Sequence, residues 1–233
     1  MFDSIQEAQK AIHSSRDDLK RKSVPDDDSV FDLLLGLQQV LEIAVASEHK
    51  AQALTPREVS DIGDRGLSLV DNLVLNLMEK NLLTEKQDIE QVALVIAQWV
   101  IDHHGVLNNI QSVVDGLAYL ANAVHDKVIL AQIAVFMGQV AYACNVILKH
   151  DLDNSKLTRP WRVLNINRGI VATRSHDLEI IAVVYADMIR NIPLDAPDFF
   201  SEGMSEMVRQ NYPDSVRDVV QEFYEQTKLP VIH

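Results

Sequence analysis

The sequence predicts an all-α protein, and three of its features carry that prediction. The 233 residues include only eight glycines and seven prolines, so few turns are encoded. Apolar residues recur at spacings of three and four along most of the chain, which is typical of helices with one buried face. No stretch alternates apolar and polar residues between turn-forming residues, as a half-buried strand would. We therefore expect about nine or ten helices.

The first elements are a polar helix and an acidic linker. A weakly amphipathic helix is predicted from Phe2 to about Lys20. The segment RKSVPDDDS then breaks it at Pro25, because proline removes a backbone donor. Its aspartates favour the start of the next helix, whose exposed N–H groups attract negative charge. We assign residues 1–28 to this N-terminal helix and linker, and residues 29–233 to a single all-helical domain.

Apolar faces and capping residues predict the next three helices. One continuous face begins near residue 29 and comprises Val30, Leu34, Leu37, Leu41 and Ala44. Thr55 and Glu58 match a capping box that starts the second of these helices. Thr84 and Gln87 repeat the pattern for the third, which should stop near Gly105, since glycine is favoured just past a helix end.

Six further helices complete the prediction. The polar segment DLDNSKLTRP separates the first two of them from the last four. Prolines at the first helical position and short polar junctions mark several of the starts. The predicted ranges are about 109–124, 127–149, 160–173, 175–190, 197–210 and 213–226.

The segment between Lys127 and Lys149 has no charged residue over about 21 positions, enough to cross a bilayer. Gln132 and Gln139 lie within it, and such groups need partners in lipid. A stripe of small residues would let a neighbouring backbone approach closely. The stripe consists of Ala131, Ala134, Gly138, Ala141 and Asn145. We therefore predict a central core helix, buried on several sides, in a soluble protein without a membrane span.

Short loops make successive helices antiparallel neighbours, so we expect stacked helical hairpins. Pro160 and Pro197, like Pro193 and Pro230, are about 37 positions apart, close to the period of helical-hairpin repeats. We predict a TPR-like α-α superhelix, with an irregular helical bundle as the second choice. The residues that define tetratricopeptide or ankyrin repeats do not occur in order.

The net charge and the cysteine content limit which partners and which cellular compartment are expected. The net charge of -13 and pI near 4.9 disfavour nucleic acid and anionic membranes and favour a basic peptide or protein face. Cys144 is the single cysteine, so no internal disulfide forms. The start MFDSIQEAQK lacks the apolar core of a signal peptide. We expect a cytoplasmic protein; the oligomeric state is not predicted.

Histidines and aspartates suggest one route to catalysis. WVIDHHG resembles the signature of the Asp-His-His phosphoesterases. LAYLANAVHDKV resembles the helix that carries the His-Asp pair of HD-domain phosphohydrolases, and VVYADMIRN resembles the helix with their last aspartate. The second resemblance implies an all-helical metal site that activates water. Its ligands would be His103 or His104, His125, Asp126 and Asp187.

The same His-Asp pairs are also what helix junctions favour. Histidine is stabilised near a helix C-terminus and aspartate at the start of the next helix. Three such pairs occur, at His125, His150 and His176, each followed by an aspartate. We therefore predict no metal and keep the HD-like phosphohydrolase as the alternative function.

The most basic short stretch of this acidic chain is TRPWRVLNINRG. Arginine and tryptophan are enriched at interfaces. One interpretation is a docking patch for an acidic group, formed by Arg159, Trp161, Arg162 and Arg168. The other is a solvated helix face on which the tryptophan anchors a loop.

Other catalytic signals are missing from the sequence. The eight glycines are dispersed, so no phosphate-binding loop is present. Cys144 lies among apolar residues, where core packing is the expected role. We assign no catalytic residue and no cofactor. The predicted function is a helical-repeat-like scaffold that binds a protein or peptide.

Overall fold

The computed structural model describes residues 5–21, 28–48, 53–150 and 159–228. Within these ranges the chain forms eleven α-helices and no strand, which confirms the all-α prediction. The helices are α1 (Ile5–Arg21), α2 (Asp28–Glu48), α3 (Pro56–Glu79), α4 (Leu83–Asp102), α5 (Gln111–Ala123), α6 (Lys127–Ala143), α7 (Val146–His150), α8 (Pro160–Ser175), α9 (Leu178–Asn191), α10 (Ala196–Arg209) and α11 (Asp214–Lys228).

Several sequence features lie outside the described residues. They include the helix break at Pro25 and Pro230 of the proposed repeat. Most of the polar segment after α7, with Asp151 of one His-Asp pair, also lies outside them.

The chain divides into two compact units. Unit one comprises Met1–Leu120 with Tyr142–Leu148, and unit two comprises Ala121–Ala141 with Lys149–His233.

In unit one, α1 packs on α2 and α4, and α3 packs on α2 and α4. Helix α1 buries Ile5, Ala8 and Ile12, although its composition is polar. The apolar face predicted for α2 is confirmed, because all five of its residues are at most 2 % exposed. Burial of such faces is the main term that holds helices together.

One helix of the described residues, over Ser29–Ser47 in α2, is long and apolar enough to cross a membrane. About a third of that window is buried inside the protein. Core helices of soluble proteins have the same length and composition. The absence of a membrane partner therefore stays a prediction.

The two predicted capping boxes have different outcomes. At α3, the Glu58 amide donates to the Thr55 hydroxyl at 3.3 Å and the Thr55 amide donates to Glu58 at 2.8 Å, as predicted. The predicted cap at Thr84 is wrong, because α4 begins at Leu83 without a side-chain cap. Asn81, with φ 56°, ends α3 in a Schellman turn that leads directly into α4.

The turn after α4 also differs in detail from the prediction. His104, with φ 60°, takes the left-handed position, and the Gly105 amide donates to the Val100 carbonyl at 2.8 Å. Gly105 is required for another reason. A Cβ at Gly105 would lie 2.8 Å from Val59 Cγ1, which is closer than real Cβ contacts, and 3.2 Å from the Val100 carbonyl oxygen, which is a tight contact.

The predicted uncharged helix is wrong as a single element. It breaks after Ala143, and Val146 starts a separate short helix, α7. The Leu107 amide donates to the Ala143 carbonyl at 2.9 Å, and the Asn145 amide donates back to the Leu107 carbonyl at 3.0 Å. The Asn145 side chain then accepts from the Leu148 amide and caps α7. Pairing with a distant loop therefore replaces helical hydrogen bonds here.

The small residues of α6 are contacted by the side chain of an arginine and not, as predicted, by the backbone of a neighbouring helix. Arg168 Nε donates to the Ala134 carbonyl at 3.1 Å. A Cβ at Gly138 would lie 2.6 Å from an Arg168 guanidinium nitrogen. The predicted burial of α6 on several sides is also wrong in part. Gln132, Val135 and Gln139 are exposed on its opposite side.

In unit two, α8 packs on α9, and α11 packs on both α9 and α10. An aromatic cluster fills this core: the Tyr185 ring lies 4.9 Å from Phe200 and 5.3 Å from Phe223, both edge to face. Edge-to-face geometry places positive ring edges against negative ring faces. At Gly169 an added Cβ would lie 2.4 Å from Met188 Cε and 2.7 Å from Phe199 Cζ, so this glycine leaves room on α8 for one side chain from α9 and one from α10.

Candidate binding cavity

The four residues of the predicted basic patch lie on or just before α8. Trp161 is 3 % exposed, and its indole N–H donates to the Asn191 carbonyl. Arg159 and Arg162 both pair with Asp195, at 3.4 and 2.7 Å. The Asp195 carboxylate thus already faces both guanidinium groups, and docking of an external acidic group stays a prediction.

Arg168 lies apart from the other two arginines of the patch. It is 7 % exposed and pairs with Asp187 at 2.8 Å. Asp187 also accepts from Arg190, which lies three residues further along α9. Both oxygens of the aspartate predicted as the last metal ligand are therefore bound to arginines, which is the environment of a structural ion pair.

The metal ligands implied by the HD-domain resemblance are not assembled. Within the described ranges, no three His, Cys, Asp or Glu side chains form a group that could hold a metal ion. Asp126 instead accepts from the backbone amides of Val128 and Ile129 at the start of α6. His103 Nδ1 lies 2.8 Å from the carbonyl oxygen of Trp99 in its own helix.

Helix-junction roles account for two of the His-Asp pairs. Asp126 binds the first amides of α6, and Asp177 accepts from the amides of Glu179 and Ile180 at the start of α9. His176 ends α8 in the left-handed conformation, with φ 58°. The helix-end interpretation of these aspartates is confirmed.

Unit two contains a cavity of about 320 Å³ between α8 and α10, which we call the α8–α10 cavity. It opens at the surface, where Ile170 is 45 % exposed and Glu202 is exposed. It is lined by Ile166, Ile170, Thr173, Arg174, Tyr185, Phe199, Glu202, Gly203, Glu206, Met207, Gln210 and Tyr212.

The two walls of the cavity are formed by residues at intervals of four on α8 and on α10. On α8, Ile166, Ile170 and Arg174 follow one another at intervals of four and therefore share one side. On α10, Phe199, Gly203 and Met207 do the same. The second wall buries Met207 and leaves Phe199 half-buried. The walls are thus mainly apolar along their length.

The floor of the cavity is polar but internally satisfied. The Thr173 hydroxyl donates to the Gly169 carbonyl at 2.7 Å, so the Tyr185 hydroxyl, 2.6 Å away, donates to Thr173. Burial raises the pKa of Tyr185 to about 12, so the phenol is neutral at physiological pH. The floor requires no polar partner from a ligand, which favours an apolar occupant.

One end of the cavity is formed by the turn after α10. Asn211 adopts φ 52°, and the Tyr212 amide donates to the Met207 carbonyl at 3.2 Å. This turn sets the Tyr212 ring against the His176 ring, with centroids 5.2 Å apart. Arg174 donates to the carbonyls of Ala121 and Val124. Its positive charge therefore faces the negative end of α5.

The rim on the α10 side is acidic. Glu206 accepts from Gln210 at 2.6 Å and from Arg209 at 2.7 Å. The Gln210 bond and then the Arg209 bond hold the pKa of Glu206 below its ordinary value, so the group is ionised at neutral pH. Glu202 has no hydrogen bond or ion pair to any described residue.

A second, more polar cavity of about 270 Å³ shares Arg174, Gln210 and Tyr212 with the first. His125 and His176 also line it. Burial, and then the charge of Lys127, lower the pKa of His176, so this imidazole is neutral at physiological pH. The α8–α10 cavity thus continues into a polar end.

Sequence reasoning did not find this cavity. The repeat of Phe199, Gly203 and Met207 at intervals of four was a signal for an apolar stripe on α10. In the sequence this stripe has the pattern of an ordinary core face. Whether another helix or an open cavity lies beside it depends on tertiary packing, which the sequence does not show.

Comparison with protein-family models, with curated proteins and with solved structures found no match for this chain. The function is therefore inferred from its cavity, its ion pairs and its charge.

Proposed function

We propose that this protein is a non-enzymatic helical scaffold that binds a protein or peptide partner, with the α8–α10 cavity as the binding site. The observation that carries the proposal is an apolar cavity, open at the surface, whose floor is internally hydrogen-bonded. Exposed apolar surface of this kind in a concave site marks binding sites, because its burial is favourable.

The dimensions of the walls favour an elongated segment. At 1.5 Å per residue, Ile166 to Arg174 spans about 12 Å of α8, and Phe199 to Arg209 spans about 15 Å of α10. Three apolar side chains on successive turns of a helix span about 10 Å. An amphipathic helix laid between the two walls would therefore place its apolar face in the cavity, which is a recurring mode of peptide recognition.

The arrangement of the hairpins is part of the proposal. Packing of α2 on α3, α3 on α4, α8 on α9 and α10 on α11 is what successive hairpins of a TPR-like superhelix require. Packing of α1 on α4 and of α9 on α11 is what an irregular bundle produces. Either arrangement leaves the α8–α10 cavity as a site within unit two.

The expected compartment and partners follow from composition. A net charge of -13 repels nucleic acid and anionic lipid. A single, buried cysteine suits a reducing compartment. We therefore propose a cytoplasmic protein whose partner is a polypeptide.

A displayed library of random peptides tests this function. The wild type is expected to select binders that the Ile170→Trp variant no longer retains, because the indole occupies the cavity. Ile170 is 45 % exposed, so the substitution spares the core. Val183→Trp is the matched control, since Val183 is 59 % exposed on α9 and does not line the cavity. Failure to select any binder, or equal retention by both variants, would refute the proposal.

A further inference from the structure

The acidic rim of the α8–α10 cavity identifies the chemistry of the partner. We infer that the occupant is a basic amphipathic helix, which places apolar side chains in the cavity and lysine or arginine side chains along α10. This inference rests on the proposed function of the cavity and adds the charge of the partner to it.

Two parallel stripes on α10 carry the inference. Asp198, Glu202 and Glu206 follow one another at intervals of four, each one residue before a member of the apolar wall. Glu202 and Glu206 line the cavity, and Asp198 lies one turn before Glu202 on the same side of α10, beside the stripe formed by Phe199, Gly203 and Met207. A helix seated on the apolar stripe would bring its flanking polar residues close to this acidic stripe.

The acidic stripe is not neutralised within the described part of the chain. Like charges at intervals of four repel one another along a helix and destabilise it. Only Glu206 has a cationic partner, Arg209. Glu202 has none among the described residues. Cationic groups from a partner would reduce the repulsion among these carboxylates, and this would favour binding.

The opposite side of the cavity does not offset the acidic rim. Arg174 is the single cation among the lining residues, and two carbonyls of the α5 terminus accept from its guanidinium. Ile166 and Ile170 make up the rest of that wall and are uncharged. A second copy of this chain is a poor occupant, because two molecules each carrying a net charge of -13 repel.

Two synthetic helices test the inference. Both have leucine at the same helical spacing, and their polar positions are all lysine in one and all glutamate in the other. We expect the leucine-lysine helix to bind the full chain at least about tenfold more tightly than the leucine-glutamate helix, and to weaken as salt is raised. Fluorescence anisotropy of labelled peptides measures both affinities.

Charge reversal locates the contact. Glu202→Lys is expected to weaken binding of the leucine-lysine helix by about tenfold, because an attraction becomes a repulsion. Glu222→Lys makes the same change of net charge on an exposed residue of α11 outside the cavity, and should change the affinity by less than about twofold. Ile170→Trp should abolish the binding.

The outcomes separate the inference from the function on which it rests. Equal binding of both helices, or equal effects of Glu202→Lys and Glu222→Lys, would overturn the basic partner. Library peptides that are acidic or uncharged, yet are lost with Ile170→Trp, would overturn it while leaving the cavity as a peptide site. Absence of any peptide bound in the cavity would refute the proposed function itself.

Discussion

At the scale of single residues, Arg168 has contacts that only the folded structure explains. Its guanidinium pairs with Asp187 on α9, donates to Ala134 on α6 and lies against Gly138. Three helices of unit two are joined through one side chain that is 9 % exposed. A charge buried to this degree is tolerated because carboxylate and carbonyl oxygens accept its protons.

We predict that Arg168→Leu lowers the free energy of unfolding by about 2–4 kcal/mol, because Asp187 and the Ala134 carbonyl lose a buried donor. Arg190→Leu removes the other partner of Asp187, but the Arg190 side chain is 72 % exposed. Its cost should stay below about 1 kcal/mol. Urea unfolding of both variants measures the difference; equal losses would contradict the structural role of Arg168.

Glu90 makes stability depend on pH. It is 2 % exposed on α4, and its carboxylate lies 2.5 Å from Lys86 Nζ. Burial raises the pKa of Glu90 above its ordinary value of 4.5, and this outweighs the bond to Lys86, which lowers it. The folded state therefore holds the proton more tightly than the unfolded chain.

Because the pKa of Glu90 is higher in the folded than in the unfolded state, its contribution to the free energy of unfolding falls as the pH rises above 4.5. Glu90→Gln removes the titration. We expect the wild type to lose stability relative to this variant between pH 4.5 and pH 7. Chemical denaturation at a series of pH values measures the difference. A difference that is constant over this range would show that burial does not perturb Glu90.

Residue-scale features differ in how far the sequence reveals them. The Thr55–Glu58 capping box is local, and its spacing alone predicts it. The left-handed positions of Asn81 and His104 are not predictable in the same way, because glycine is the usual residue there and Gly105 lies next to one of them. From the sequence, Arg168 looks like an ordinary surface cation, because the partners that bury it are distant along the chain.

At the scale of elements, the junction of α6 and α7 shows how a loop ends a helix. Residues 127–149 contain no proline, and their one glycine, Gly138, lies five positions before the break, so local propensity does not predict a helix end after Ala143. The backbone of Leu107 instead pairs with the residues on either side of Cys144. This contact spans more than thirty positions of the sequence, and such tertiary pairing overrides propensity without leaving a local signal.

Asn145 is the side chain that stabilises this junction. It accepts from the Leu148 amide at 2.7 Å and donates to the Asn108 side chain at 2.6 Å. We predict that Asn145→Ala costs about 1–2 kcal/mol, the usual cost of a lost cap.

Asn145→Asp is the matched control, because a carboxylate keeps the acceptor for the Leu148 amide but cannot donate to Asn108. The aspartate variant should lose less stability relative to the wild type than the alanine variant does. Thermal unfolding ranks the three proteins. A neutral effect of alanine would show that the break forms without the cap.

At the scale of the whole molecule, composition and periodicity determine the fold class but not the binding site. Scarce glycine and proline and helical spacing predict helices throughout, and the described chain is helical apart from its connections. The α8–α10 cavity depends on where α8, α9 and α10 pack and on Gly169, which admits Phe199. Such packing is a property of the assembled unit.

The acidic charge links composition to the proposed function. Asp198, Glu202 and Glu206 contribute to the net charge of -13, yet the sequence alone presents them as an ordinary solvated face of α10. We propose that they form a recognition surface, because Glu202 and Glu206 line the apolar cavity. Electrostatic complementarity of this kind accelerates encounter and selects partners by charge.

The most direct test of the cavity as a basic-helix site is a methyl and amide NMR titration of the full chain with the leucine-lysine helix. We predict that the largest shift changes occur at Ile166, Ile170 and Met207, which line the cavity, and that Val183 on the outer side of α9 changes little. Shift changes confined to residues outside the cavity, or none at saturating peptide, would contradict the account.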